Sequence, residues 1–209
     1  MGLRDDESDR RDVNHESYSN ENRDLNMKSL RGHFLLATPH QLDPNFVEAV
    51  ILVVAHDDRG AMGVIVSCPR DRHEGISQPR SSLRRWPEEP RLHFGGPLTG
   101  PLMAVHADPA FAGIEILPGV FFEGEEEGVF ILMRSTEHAY KAFTGYAGWA
   151  PRQLEYEVER GIWRAIPATV AEIFSDGDNL WERLLRQAFD SLLQVMCNVK
   201  HIPSDPSLN

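Results

Sequence analysis

Apolar residues are spread unevenly along the 209 positions of the chain, and that unevenness outlines its elements. The first 28 residues, MGLRDDESDRRDVNHESYSNENRDLNMK, hold eight acidic and five basic side chains and few large apolar ones. Such a segment cannot bury enough surface to offset its ordering entropy, so residues 1–28 are expected to form a disordered polar extension. From Arg31 the pattern changes to RGHFLLATP and then to AVILVVAHDDRGAMGVIV, in which a turn at His56–Gly60 separates two apolar runs rich in β-branched residues. This predicts a hairpin. Its first arm, Ala49–Ala55, is apolar throughout, as a central strand covered on both faces would be.

Between Pro69 and Pro90 four prolines break any periodicity, which predicts a long loop or lid-like excursion. Beyond it RLHFGG, LMAVHAD, GIEIL, GVFFEG and GVFILMRS read as short strands in a mostly antiparallel meander. Helices are expected late in the chain. STEHAYKAF offers Ser135 or Thr136 as a cap and Ala139, Ala142 and Phe143 as an apolar side. PRQLEYEVERG places Pro151 in the first turn and Gly161 just past the end. NLWERLLRQAFDSLLQVM carries a stripe of Leu180, Trp181, Leu184, Leu185, Ala188 and Leu192, with Asn179 and Glu182 spaced as a capping box. The resulting organisation is one domain over residues 29–196, followed by a loose tail at 197–209.

An apolar content of 41% and a charged content of 25% are ordinary for a globular protein. The net charge of −11 does not come from the extension alone, since the remaining residues also hold more acid than base. An acidic domain disfavours nonspecific nucleic-acid binding, which depends on Lys and Arg neutralising phosphates. No apolar run reaches the roughly 20 residues that cross a bilayer, and the N-terminus lacks a signal-type apolar stretch, so a cytoplasmic location is expected. Cys68 and Cys197 have no CxxC or zinc-like spacing and read as free thiols.

Motifs for chemistry are sparse. No GxSxG elbow is present, and Ser67-Cys68-Pro69 has no accompanying signal for a base. FGGPLTGP is glycine-rich but matches neither nucleotide-binding fingerprint. Nine histidines are scattered without HxH, HExxH or i, i+4 pairs. His93 and His106, in adjacent strand segments, are the pair placed to meet across a ladder. The acidic run Glu125–Glu127 reads as a solvated turn, and Trp86 beside Arg84 and Arg85 as part of a solvated loop. Gly145–Gly161 reads as a capped helix start with Trp149 packed over the first turn; Arg152 and the free amides there are an alternative anion site.

Taken together, GHFLLATPHQLDPNFVEAVILVVAHDDRGAMGVIV, LHFGGPL and GYAGWAPRQLEYEVERGIW resemble the AlgH or YqgE family, also catalogued as UPF0301 or DUF179. The resemblance implies an α+β fold: a single domain in which a bifurcated, mostly antiparallel sheet forms a pseudo-barrel with helices packed outside. The family carries the label of transcriptional regulator through a genetic link to alginate production, and no reaction, cofactor or ligand is agreed for it. Its blocks fall here on a candidate functional surface of Asn45, His56, Gly95, Gly96, Pro97, Gly148, Trp149 and Gln153. The family has glycine where this chain has Ala150 and Arg152. A noncatalytic binding or regulatory module with a protein or small-molecule partner is the expectation, with neither metal nor cofactor. The alternative is an enzyme with His56 or His93 as proton-transfer group and Asn45 or Gln153 orienting substrate. Direct DNA binding is disfavoured by the absence of a basic recognition helix. The enzyme reading requires its candidate side chains to converge on one pocket, and the most informative observation is whether Gly95–Pro97 and Trp149–Gln153 line a common cleft.

Overall fold

The computed structural model describes residues 29–67, 92–111, 113–135, 137–175 and 179–197, the final four of these in backbone only. The N-terminal extension, Cys68, the proline-punctuated excursion with Trp86 and the C-terminal tail beyond Cys197 lie outside the described residues.

The expected hairpin forms as β2 (Val50–Asp57) and β3 (Gly60–Ile65), with Asp57 facing Gly60 across the turn. Strand β1 (His33–Ala37) flanks β2, and β9 (Ala147–Trp149) and β10 (Trp163–Pro167) complete an all-antiparallel sheet in the order β10-β1-β2-β3-β9. As expected of a central strand, Val50–Val54 are all within 1% of full burial. Alternate residues serve different layers: Val50, Leu52 and Val54 enter one cluster, Ile51 and Val53 another. At about 1.5–3 kcal/mol for each large aliphatic side chain removed from water, this strand is a principal source of stability.

A second sheet, ordered β4-β8-β5-β7-β6, packs across the first cluster. It comprises β4 (Leu92–Phe94), β5 (Met103–His106), β6 (Ile114–Leu117), β7 (Val120–Glu123) and β8 (Tyr140–Thr144). Four of its five strands pair antiparallel, and β4 lies parallel to β8. Val105, Ile116, Val120 and Phe143 meet Phe34, Leu36 and the β2 side chains between the sheets. Helix α4 (Leu180–Cys197) closes this core with Leu180, Leu184 and Ala188, and Trp181 donates its indole proton to the Ala37 carbonyl at 2.8 Å. Helix α2 (Gln153–Glu159) covers the opposite face of the first sheet with Leu154, α3 (Val170–Ile173) adds Ile173 to the first core, and α1 (Glu126–Leu132) covers the second sheet. The fold is a single α+β domain of two mostly antiparallel sheets and four helices among the described residues, with no closed barrel.

Two segments exchange their expected structures. GVFILMRS, read as a strand, contributes to α1, where Val129 and Leu132 lie three apart and are buried while Glu126 and Glu127 occupy the first turn. The acidic run is therefore a helix start rather than a turn between strands, with Glu125 at the N-cap. STEHAYKAF, read as a helix, supplies Tyr140–Phe143 of β8. There Ala142 and Phe143 lie on opposite faces, in different clusters, which an alternating strand allows and a helical stripe does not. The run was short enough to fit either period, and pairing with strands on both sides decided it. Helix α2 begins at Gln153 rather than at Pro151, and its N-cap, Arg152, has left-handed backbone (φ 66°). A side chain thus occupies a conformation that favours the glycine of the family pattern.

The chain crosses from the second sheet to the first between β8 and β9, and three glycines make the crossing. A methyl group on Gly95 would overlap the Gly145 carbonyl oxygen, on Gly96 the Tyr146 carbonyl, and on Gly145 the Gly96 oxygen. Gly145 also has φ 73°. Hydrogen bonds from Gly95 N to Thr144 O (2.8 Å), Ile65 N to Gly95 O (2.8 Å) and Leu98 N to Tyr146 O (3.0 Å) use this close approach to tie the sheets. Gly95→Ala and Gly145→Ala should each lower stability by about 2 kcal/mol or more. Gly119→Ala, where φ is 78° but no atom lies within 4 Å of the added methyl, should cost only about 1 kcal/mol. Calorimetry separates these outcomes, since each kcal/mol moves the unfolding midpoint of a chain this size by roughly 2–4 °C.

Candidate functional site

The tryptophan and glutamine of the family block converge on a residue that was not singled out in the sequence for such a role. Glu157 lies one turn after Gln153 on α2. Its Oε2 accepts the indole protons of Trp149 at 2.9 Å and Trp163 at 2.8 Å, and its Oε1 accepts from Gln153 Nε2 at 2.9 Å. Gln153 Oε1 in turn accepts from Ala150 N at 3.0 Å, closing the turn that leads into α2. The two indoles meet edge-on with centroids 6.1 Å apart, and Phe46 meets Trp163 edge-on at 5.7 Å. Asn45 sets up that contact: Asp43 Oδ1 accepts from both the Asn45 backbone and its side-chain amide at 2.9 Å, and Phe46 N donates to Asp43 O. An indole N–H is a donor that needs an acceptor once buried, and two of them converging on one region were the available sequence signal for Glu157.

The other candidates lie apart from this cluster. His56 is held from both sides, its Nδ1 accepting from Leu30 N at 2.9 Å and its Nε2 lying 3.3 Å from Glu155 Oε1. Glu155 and Glu157 project from different sides of α2, so His56 and Trp149 are anchored to it separately. Gly95 and Gly96 are buried in the sheet crossing, Pro97 is exposed beside it, and Gly148 is exposed with Leu98 against the position of its missing methyl. His93 and His106 do not meet, because β8 separates their strands; the His93 ring packs 5.6 Å from Phe143 instead. No group of three or more metal-ligating side chains is assembled among the described residues.

A cleft of about 520 Å³ opens beside the Glu157 cluster, at the end of β1 and β10. Trp163, Arg164 and Ala165 form one wall, and Leu185, Phe189 and Leu192 of α4 face them. Thr38, Pro39 and His40 border it, with Val158 and Gly161 from the end of α2. Trp163 therefore stands at both sites: the residue borders the cleft, while its indole nitrogen is fixed by Glu157. None of the eight residues singled out in the sequence lines this cleft, since α4 is distant in sequence and its stripe reads simply as core. Phe189 and Leu192 are 54% and 38% exposed, so part of that stripe faces the opening.

A separate polar group lies buried in the second sheet. His106 is wholly inaccessible, its ring stacked 5.6 Å from Phe121 and its Nδ1 accepting from Asp108 N at 3.2 Å. Its Nε2 has no hydrogen-bond partner among the described residues. Burial holds its pKa below the ordinary 6.5, against the opposing fields of Asp108 and Glu123.

Two measurements follow. Glu157→Ala strands two indole donors and should cost about 3 kcal/mol in urea unfolding, whereas Glu157→Gln, which keeps one acceptor, should cost about 1 kcal/mol. Because the folded chain binds a proton at His106 less readily than the unfolded chain, the His106 contribution is complete above pH 6.5 and is lost as pH falls below it. His106→Phe should flatten that part of the stability–pH curve, by at most about 1.4 kcal/mol per pH unit.

Comparison with known proteins agrees with this architecture. Residues 34–192 match the AlgH-like family, DUF179. A UPF0301 protein of Chlorobaculum tepidum is 31% identical over 85% of this chain and 95% of its own, and one of Streptomyces coelicolor is 33% identical over 88% and 97%. The solution structure of AlgH from Pseudomonas aeruginosa superposes with a TM-score of 0.57 at 27% identity, covering 79% of this chain and 89% of that one. A crystal structure of a Corynebacterium diphtheriae protein, 23% identical, shares the fold with the same TM-score over 77% of this chain and 87% of that one. The chain belongs to the AlgH-like family.

Proposed function

We propose that the protein is a noncatalytic binding module, and that it receives its protein or small-molecule partner in the apolar cleft between α4 and the end of β1 and β10. The observation that carries this reading is the cleft itself, concave, of ligand-binding size and walled by Trp163 and the partly exposed Phe189 and Leu192. The family-block side chains support it indirectly: Trp149 and Gln153 hold Glu157, and Glu157 holds the Trp163 wall. The histidines named for proton transfer offer no comparable gathering, as His56 is bonded on both nitrogens and His93 lies in the other sheet. A regulatory effect would pass through the bound partner rather than through DNA. On α4, Arg183 and Arg186 are interspersed with Glu182 and Asp190, and Arg183 is 3.4 Å from Glu172.

A thermal-shift screen of metabolites against wild type, Phe189→Asp and Pro97→Ala tests the proposal. A ligand present at a hundredfold its dissociation constant stabilises by roughly 2.7 kcal/mol. At least one compound should therefore raise the wild-type midpoint by several degrees, retain its effect with Pro97→Ala and lose it with Phe189→Asp. Loss with Pro97→Ala and retention with Phe189→Asp would move the site to the loop surface. The absence of any reproducible shift, together with no captured protein sensitive to Phe189→Asp, would count against a binding module.

A further inference from the structure

The chemistry of the cleft restricts what it can hold. Its walls are apolar, and the polar side chains among its lining are Thr38, His40 and Arg164. The Thr38 hydroxyl is already committed, bonding to the carbonyls of Gly161 and Ile162 and accepting from His40 N. That leaves an imidazole and a guanidinium. Neither side chain forms a hydrogen bond or ion pair with another described residue, and both are exposed at the rim rather than buried in the wall. No carboxylate is among the described residues that line the cleft, although the chain as a whole carries a net charge of −11. A cationic rim on an apolar slot, within an otherwise acidic protein, selects for charge at one end of a ligand and excludes it along the rest.

From this geometry we infer that the cleft binds a free medium-chain carboxylic acid, with the apolar body along the Leu185–Leu192 face of α4 and the carboxylate on Arg164. A guanidinium can receive both carboxylate oxygens at once, which orients the head. His40 adds a second polar group to the rim. A volume of about 520 Å³ suits such a molecule and is within the usual range for small-ligand sites. The inference rests on the proposed binding function and narrows it to a ligand class.

Calorimetric titration of the full chain with decanoate, decanol and decyltrimethylammonium, each below its micelle-forming concentration or solubility limit, provides the test. Decanoate is expected to bind one to one and roughly tenfold more tightly than either other probe, a factor that one charge-assisted hydrogen-bonded pair supplies. Arg164→Gln should reduce decanoate to the affinity of decanol without shifting the unfolding midpoint, Arg164→Lys should restore part of the difference, and Phe189→Asp should abolish binding. Equal affinity for decanoate and decanol in the wild type, or a preference that survives Arg164→Gln, overturns the assignment of an acidic ligand. If decanol binding is also lost with Phe189→Asp, that result leaves the apolar cleft standing as a binding site. One-to-one binding of none of the three probes overturns the small-acid inference, and the metabolite and partner screen then decides the broader reading separately.

Discussion

The carboxylate of Glu157 is the contact on which the arrangement of the first sheet's outer layer depends. Three donors from three stations of the chain converge on it: Trp149 at the end of β9, Gln153 in the first turn of α2 and Trp163 at the start of β10. These stations flank α2 on both sides, so one side chain fixes the helix, the strand before it and the strand after it. The physical reason is economy of acceptors. Two indole protons lie in a region where Trp149 is 7% and Trp163 2% exposed, and water cannot satisfy them without opening the layer. A carboxylate has lone pairs for all three donors, and a neutral side chain of similar size does not.

The sheet crossing adds a second constraint, steric rather than polar. Gly95, Gly96 and Gly145 bring two backbone segments so close that no side chain fits between them, and the hydrogen bonds of that crossing lock the two sheets together. The characteristic blocks of the sequence thus have structural work to perform. Gly95-Gly96 and Gly145 join the sheets, Trp149 and Gln153 hold Glu157, Asn45 shapes the turn that seats Phe46 on Trp163, and His56 tethers α2 to the strand that precedes the β2–β3 turn. Together they form a frame, and the cleft lies at its edge. Arg152 illustrates how firmly the frame is held: the left-handed backbone persists at the head of α2 although the residue there has a side chain.

Much of this was legible in the sequence and the remainder was not, for identifiable reasons. The β2–β3 hairpin, the doubly buried Val50–Val54 segment and the α4 stripe were readable because each is long and strongly patterned. The segments around Val129 and Phe143 were not, because each is too short for its period to be unique, and only the pairing of β8 with both β4 and β5 separated them. Strands β9 and β10 are three and five residues long and flank a helix, so they gave no alternation to read. At the candidate site, Trp149 and Gln153 could be named from their block, whereas Glu157 looked like one of several surface carboxylates. The cleft was least visible of all. Its lining is drawn from residues 38–40, 158–165 and 185–192, and only tertiary packing brings those together.

The central claim, that Glu157 ties both indoles and thereby holds the wall of the cleft, is most directly tested by the indole N–H resonances of Trp149 and Trp163 in a two-dimensional proton–nitrogen spectrum. In wild-type protein both should be slow to exchange with solvent. Glu157→Gln should shift both together and speed exchange at both, while the Trp181 resonance, bonded to the Ala37 carbonyl, stays unchanged. Rapid exchange of either indole in the wild type, or a Glu157→Gln spectrum in which only one of the two moves, would contradict the account.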